Sequence, residues 1–335
     1  MTTDARHGRG WAPLLLRVIL AIFLLFVLVV GLSWARLLWV ERLTVQEAAP
    51  TKGRWIHAHD VDLHVQEFGD PAAPPLVLLH GTGAWSGTWD QNVQAMASAG
   101  YRVIAVDLPP FGFSTRPSSG DYGRPAQARR LVGLIDSLQL GPVTLLGHSY
   151  GGGPAAETAM LAPDRVRHLI LLDAAIGLIE KPAPQHGGVA AILIGIRPLR
   201  TALVATLFTQ PAFGEFWLRK FVARKEVVTA ARTAIYQQPF VVHGFSAGLG
   251  DWAVQFGAES GLSMSEKPEE FRKLSMPLTL LWGEEDTITP LAQAKVLQQL
   301  AYKAKLYVLP GVGHIPQIEN PVLFNFELGK VLNPS

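Results

Sequence analysis

Gly147-His148-Ser149-Tyr150-Gly151 has the residue types and spacing of a serine nucleophile on a sharp turn. A serine hydroxyl is a weak nucleophile at neutral pH, so it must be exposed, oriented and paired with a base. The apolar run Val143 to Leu146 precedes the motif and a helical pattern follows it. That strand–turn–helix setting is the one in which a GxSxG serine stands clear of the backbone. Gly147, Gly151 and Gly152 leave the room that such a turn needs.

The base is expected on a loop at the same sheet edge. His314, in Gly311-Val312-Gly313-His314, follows the expected strand Lys305 to Leu309; of the nine other histidines, His80 and His148 belong to the HG and GHS motifs and the rest lack that strand-end position. A carboxylate must hold the imidazole tautomer and stabilise the imidazolium. Asp286, in Gly283-Glu284-Glu285-Asp286, follows the run Leu278 to Trp282 and precedes His314 by 28 residues, room for a helix and a strand. Glu284 and Glu285 are local alternatives, and Asp173, at the end of an earlier strand, is a distant one. Acyl transfer also needs N–H donors for a developing oxyanion. The backbone of Tyr150 supplies one, and Thr82, or else Gly83, in His80-Gly81-Thr82-Gly83 supplies the other.

The elements that must position these residues alternate along the chain. Trp55 to His59 and Val61 to Phe68 read as a strand pair. Leu76 to Leu79, Arg102 to Val106, Val143 to Leu146, Val166 to Leu172, Leu278 to Trp282 and Lys305 to Leu309 read as further strands. Helical patterns cover Thr88 to Ala99, Ala126 to Gln139, Tyr150 to about Leu161, Leu291 to Leu300 and Pro321 to Val331. This alternation specifies an α/β fold with a mostly parallel, doubly wound sheet. Residues 175–268 break the rhythm and read as an inserted helical cap, within which Val189 to Phe208 forms two short amphipathic helices. The chain divides into a tail, anchor and linker (1–50), a first core part (51–174), the cap (175–268) and a second core part (269–335).

The chain has 335 residues, of which 49% are hydrophobic and only 17% charged, which excludes disorder and hints at membrane contact. With no cysteine, thiol nucleophiles, disulfide scaffolds and cysteine metal sites are excluded. Residues 1–50 hold five Arg against three acids, and the remainder balances 24 basic with 24 acidic side chains. No basic block suits nucleic acid. Val18 to Ala35 carries no charge over 18 residues, a helical length of ~27 Å against a hydrocarbon core of ~30 Å. Residues 14–40 are therefore expected to anchor the protein in the bilayer as a single pass, with a cytoplasmic N-terminus and an extracytoplasmic body. The rival is a cleaved secretory signal ending at Ser33-Trp34-Ala35, giving a secreted protein.

Taken together, HGTG at 80–83, DLPPFGFS at 107–114, GHSYGG at 147–152, GEEDTITP at 283–290 and GVGHIPQIENP at 311–321 resemble the motifs of the α/β-hydrolase superfamily. The resemblance covers nearly all of residues 54–333; Pro110 departs from the Gly usual at that place, and Asp107 matches a structural acid. It implies an α/β-hydrolase fold with a cap, and a Ser149 nucleophile separates the chain from haloalkane dehalogenases and epoxide hydrolases. The expected function is a membrane-anchored serine hydrolase that cleaves carboxylic esters, lipophilic ones above all, through an acyl-enzyme. Alternatives on the same fold are carbon–carbon bond hydrolysis of a ring-cleavage product and cofactor-free perhydrolase chemistry. A tethered, non-catalytic binding module is disfavoured by the full set of Ser, His and Asp. The chemistry calls for no cofactor and no metal.

Overall fold

The computed structural model describes residues 11–178, 194–258, 261–301 and 303–333, with side chains from residue 13 onward. Eight strands make one sheet: β1 (Gly53–Ala58), β2 (Val61–Phe68), β3 (Pro75–Leu79), β4 (Arg102–Val106), β5 (Val143–His148), β6 (Val166–Leu172), β7 (Leu278–Gly283) and β8 (Lys305–Leu309). Their spatial order is β1-β2-β4-β3-β5-β6-β7-β8. β1 and β2 pair antiparallel, as do β2 and β4, and all the other neighbours run parallel. Every residue of β5 and β7 is buried, which is why these strands read as continuous apolar runs rather than alternating ones.

Side chains alternate across the sheet and meet a helix layer on each face. Val77, Leu145 and Leu169 pack with Leu131, Ile135, Ala155 and Leu297, from the helices Arg124–Ser137, Gly152–Leu161 and Leu291–Leu300. On the opposite face Leu76, Leu78 and Leu146 pack with Val93, Met96, Phe324 and Leu328, from Val93–Ser98 and Pro321–Leu332. Strand order reverses around β3, which lies between β4 and β5. Such a reversal opens a crevice beyond the carboxyl ends of the strands, where the loops after β3 and β5 meet.

The helix expected over Thr88 to Ala99 is not continuous: a 3₁₀ turn spans Ser86–Trp89 and the α-helix starts only at Val93. Tertiary bonds override local propensity here. The Thr88 hydroxyl and N–H both bond to the Trp85 carbonyl, and the Asn92 amide reaches Gln317 and Asn325 near the other end of the chain. Between β6 and β7 lie helices Arg197–Leu207, Gly214–Phe221, Ala230–Gln237, Phe245–Gly257 and Pro268–Arg272. Of the two helices expected over Val189 to Phe208, residues 189–193 lie outside the described residues; Ile194 and Gly195 are helical, a bend follows at Ile196, and Arg197–Leu207 forms the next helix.

The N-terminal helix runs unbroken from Trp11 to Val40, and Pro13–Val40 is long and apolar enough to cross a membrane, by length and composition. Its far end docks on the segment between β6 and β7. Ser33 meets the Thr206 hydroxyl at 2.6 Å, Arg36 donates to the Ala205 and Thr209 carbonyls, and Leu37 is buried. The stretch Thr44 to Lys52 was expected as a linker. It holds a short helix, Val45–Ala48, closed by a Thr44/Glu47 capping box, and Leu43 bridges to Val242. Glu41 is buried and accepts from the Ser246 backbone N–H and hydroxyl. Glu41→Ala would leave the buried Ser246 N–H without an acceptor and should cost about 1–3 kcal/mol, read as a lower urea midpoint of the full chain.

Candidate active site

Ser149 stands directly after β5, at the first residue of the 3₁₀ turn Ser149–Gly151, with the α-helix starting at Gly152. Its φ is +50°, a left-handed conformation that costs a non-glycine residue about 1–3 kcal/mol. Close packing enforces it. A Cβ on Gly147 would lie 2.4 Å from the Gly151 carbonyl oxygen, and one on Gly151 would lie 2.6 Å from that of His80. Only glycine lets the turn sit so near its neighbours.

The structure brings the three predicted side chains together from three loops. Ser149 Oγ lies 2.8 Å from His314 Nε2, and His314 Nδ1 lies 2.9 Å from Asp286 Oδ2. All three residues are buried, which strengthens these contacts. Burial pushes the Asp286 carboxyl up, but hydrogen bonds from His314 and Thr289 and the charge of His314 outweigh it, so the net direction is down. The Asp286 carboxylate also takes the N–H groups of Ile288 and Thr289 at 2.7 and 3.0 Å, and the Thr289 hydroxyl at 2.6 Å. Glu284 and Glu285 are exposed and stay outside this line, and Asp173 is packed behind Asp286. A hydroxyl on an imidazole that is backed by a carboxylate can lose its proton as it attacks, without ever forming a free alkoxide.

Further groups fix the histidine loop, and sequence reasoning missed them. His148 sits 2.8 Å from the His314 carbonyl through Nε2, and because a carbonyl can only accept, that nitrogen carries the proton. Glu319 accepts from Gly313 N and Ile315 N, each at 3.0 Å, and from Ala223 N and Arg224 N of the overlying segment. His80 donates through Nδ1 to the Gly81 carbonyl and accepts the Leu108 N–H on Nε2, which ties down the loop that carries Thr82. Thr289 and Glu319 lie three and five residues beyond Asp286 and His314, so the only signal for them in the sequence is that closeness.

Thr82 and Gly83 line the wall of a cavity of about 350 Å³ that also contains Ser149 and His314. Tyr150 follows Ser149 in the turn, with its side chain buried and its hydroxyl 3.0 Å from Gln127 Nε2. The opposite wall comes from the segment between β6 and β7, through Val204, Phe208, Leu218, Phe240 and Trp252. Among the described residues, no three His, Cys, Asp or Glu side chains converge as a metal site would require.

A family model described as alpha/beta hydrolase fold matches residues 74–321, more than half of the chain. A 2-hydroxymuconate semialdehyde hydrolase of Pseudomonas sp. (strain CF600) is 29% identical over 301 residues, covering 87% of this chain and 97% of that protein. A solved meta-cleavage product hydrolase variant superposes with a TM-score of 0.68 at 23% identity, over 84% of this chain and 98% of the other. A membrane phospholipase A, described as a bacterial virulence factor, superposes with a TM-score of 0.65 at 23% identity, over 96% and 97% of the two chains. At these identities the two structures speak for the fold alone.

Burial holds three histidines neutral: His80 is lowered, His148 falls to about 3 and His168 to about 4. The unfolded chain protonates these rings near 6.5 and the folded one refuses the proton, so the unfolded state binds more protons below that pH. Stability should therefore drop as the pH falls from about 6.5 towards 4. Urea unfolding at about pH 7.5 and about pH 5 checks the direction, and His168→Gln, remote from Ser149, should flatten the dependence.

Proposed function

The chain belongs to the α/β-hydrolase family, and we propose that it is a membrane-anchored serine hydrolase that cleaves lipophilic carboxylic esters through an acyl-enzyme. In this mechanism Ser149 Oγ attacks the ester carbonyl while His314 Nε2 takes its proton. Asp286 stabilises the resulting imidazolium through Nδ1. The backbone N–H groups of Tyr150 and Thr82 receive the oxyanion, and His314 returns the proton to the leaving alcohol. Water then attacks the acyl ester by the same route.

The observation that carries the substrate class is the cavity beside Ser149, whose wall from the 175–268 cap is mostly apolar, interrupted by Lys220, Thr233, Tyr236 and Gln237. An acyl chain buried there gains about 0.8 kcal/mol per methylene. Phe208 lines the cavity and is also exposed, with Leu207, Phe213 and Phe216 exposed nearby in sequence. These side chains belong to the segment on which the N-terminal helix docks, which supports uptake of substrate from a bilayer that holds residues 14–40. The helix continues through Ser33-Trp34-Ala35, which supports a retained anchor rather than a cleaved signal. Basic residues balance across the apolar run, three Arg before it against Arg36, Arg42, Lys52 and Arg54 after it, and it is the resemblance of the segment around Arg6 and Arg9 to a signal-anchor n-region that supports a cytoplasmic N-terminus with the body outside.

A second reading, carbon–carbon bond hydrolysis of a ring-cleavage product, is supported by the name of the 2-hydroxymuconate semialdehyde hydrolase relative. A muconate is a carboxylate and needs a cation near the site. Among the described residues lining the cavity the one Lys or Arg is Lys220, which is exposed. That favours the ester.

Ser149→Ala should abolish labelling by a fluorophosphonate probe and lower kcat/KM for esters by about 10⁴-fold or more. Asp286→Asn should lower kcat by about 10³- to 10⁴-fold. Across p-nitrophenyl esters, octanoate should exceed acetate in kcat/KM by about tenfold or more, and Leu218→Gln should depress octanoate selectively. Faster turnover of a muconate-type ring-cleavage product than of any ester would select the second reading.

A further inference from the structure

Asp173 closes β6 and is completely buried, yet nothing in the mechanism above uses it. Its backbone is left-handed, at φ +43°, which is uncommon for a residue with a side chain. Its main chain and side chain grip both ends of the loop that carries Asp286. Oδ1 accepts the Gly283 N–H at 2.8 Å where the loop begins, and where it ends the carbonyl lies 2.9 Å from the Thr289 hydroxyl, whose single proton it shares with the Asp286 carboxylate. Oδ2 is buried and has no donor. The acceptor within hydrogen-bond reach of the Asp173 side chain is the Asp286 carboxylate.

Two carboxylates in contact in a dry site cannot both be ionised, so one proton lies between them. Asp286 already receives Ile288 N, Thr289 N, the Thr289 hydroxyl and His314 Nδ1, and a proton on it would displace one of these. Asp173 has one donor and one empty oxygen. We propose that Asp173 is a positioning residue, a neutral carboxylic acid whose Oδ2–H donates to the Asp286 carboxylate and keeps that acceptor aligned on His314. The charged groups facing it are acidic: Asp286 from the loop after β7 and Glu319 from the helix Pro316–Glu319, with His314 beyond Asp286. Burial, and then the Asp286 charge and hydrogen bond, push the Asp173 carboxyl well above the usual carboxylate range. A neutral Asp173 leaves Asp286 as the anion bonded to His314, and its hydrogen bond makes that anion less basic, so the proton stays on the imidazole.

This rests on the serine hydrolase reading, and the test separates the two. Asp173→Asn keeps both size and neutrality, with an amide N–H in place of the acid O–H. Its acid limb of kcat/KM against pH should coincide with that of the wild type, with kcat retained within about threefold. Asp173→Ala should lower kcat about tenfold or more with little change in KM, through a misaligned Asp286. Were Asp173 ionised, Asp173→Asn would remove a negative charge beside His314 and move the acid limb down by about one unit or more. That shift, or a wild-type kcat in Asp173→Ala, would overturn the proposal. Independently of turnover, and of whether the alanine variant folds, difference infrared spectra above neutral pH should show the carbonyl band of a protonated carboxylic acid that Asp173→Asn lacks. Identical bands in both proteins would also overturn it. A protein without esterase activity but with that band would refute the hydrolase reading and leave the carboxylic acid–carboxylate pair standing.

Discussion

His314 gives its two ring nitrogens to a single line of hydrogen bonds, Ser149 at one end and Asp286 at the other, and the irregular features of the sheet edge serve to hold that line. The strained φ of Ser149 lifts its hydroxyl out of the strand direction. The carbonyl of His314 is tied to His148, the neighbour of that same serine, so the two ends of the line share one frame. Glu319 collects four backbone N–H groups, two from the histidine loop and two from the segment above it, and so couples the base to the cavity wall. Such alignment matters because misplacement by about 1 Å can cost about 10²-fold in rate.

The sheet supplies the frame and the inserted helices supply the environment. β3, β5, β7 and β8 run parallel and end at the same edge, which is why loops more than a hundred residues apart can meet. The segment between β6 and β7 lines the cavity on one side with aromatic and aliphatic side chains. The N-terminal helix and the residue after it are part of this arrangement: Ser33, Arg36 and Glu41 bond to Thr206, Ala205, Thr209 and Ser246 of that segment. Side-chain contacts therefore fix this helix against the segment between β6 and β7.

Much of this was legible in the sequence for particular reasons. β5 and β7 are buried on both faces and announce themselves as apolar runs, while β8, at the sheet edge, is half-exposed. Ser149 follows β5 directly, and Asp286 and His314 lie three and five residues beyond the ends of β7 and β8, so strand ends and residue types singled out these candidates. What stayed hidden depends on contacts between distant segments. The break in the Thr88 to Ala99 helix comes from Asn92 reaching Gln317 and Asn325, which no local window contains. The docking of Thr44 to Lys52 turns on Leu43 meeting Val242. Asp173 was visible as an acid at a strand end, but its place behind Asp286 follows from the pairing of β6 with β7. Glu319 and Thr289 are polar residues in short loops, and their value lies in the backbone groups that folding brings to them.

The central claim is that Ser149 forms a covalent bond to the acyl group during turnover. Rapid quenching of the full-length protein with an octanoyl ester, followed by peptide mass mapping, tests it directly. An added octanoyl mass on the peptide that contains Ser149, formed within a turnover and lost as product accumulates, is the predicted result. Steady ester hydrolysis with no acyl group on Ser149 at any time, or with the acyl group on another residue, would contradict it.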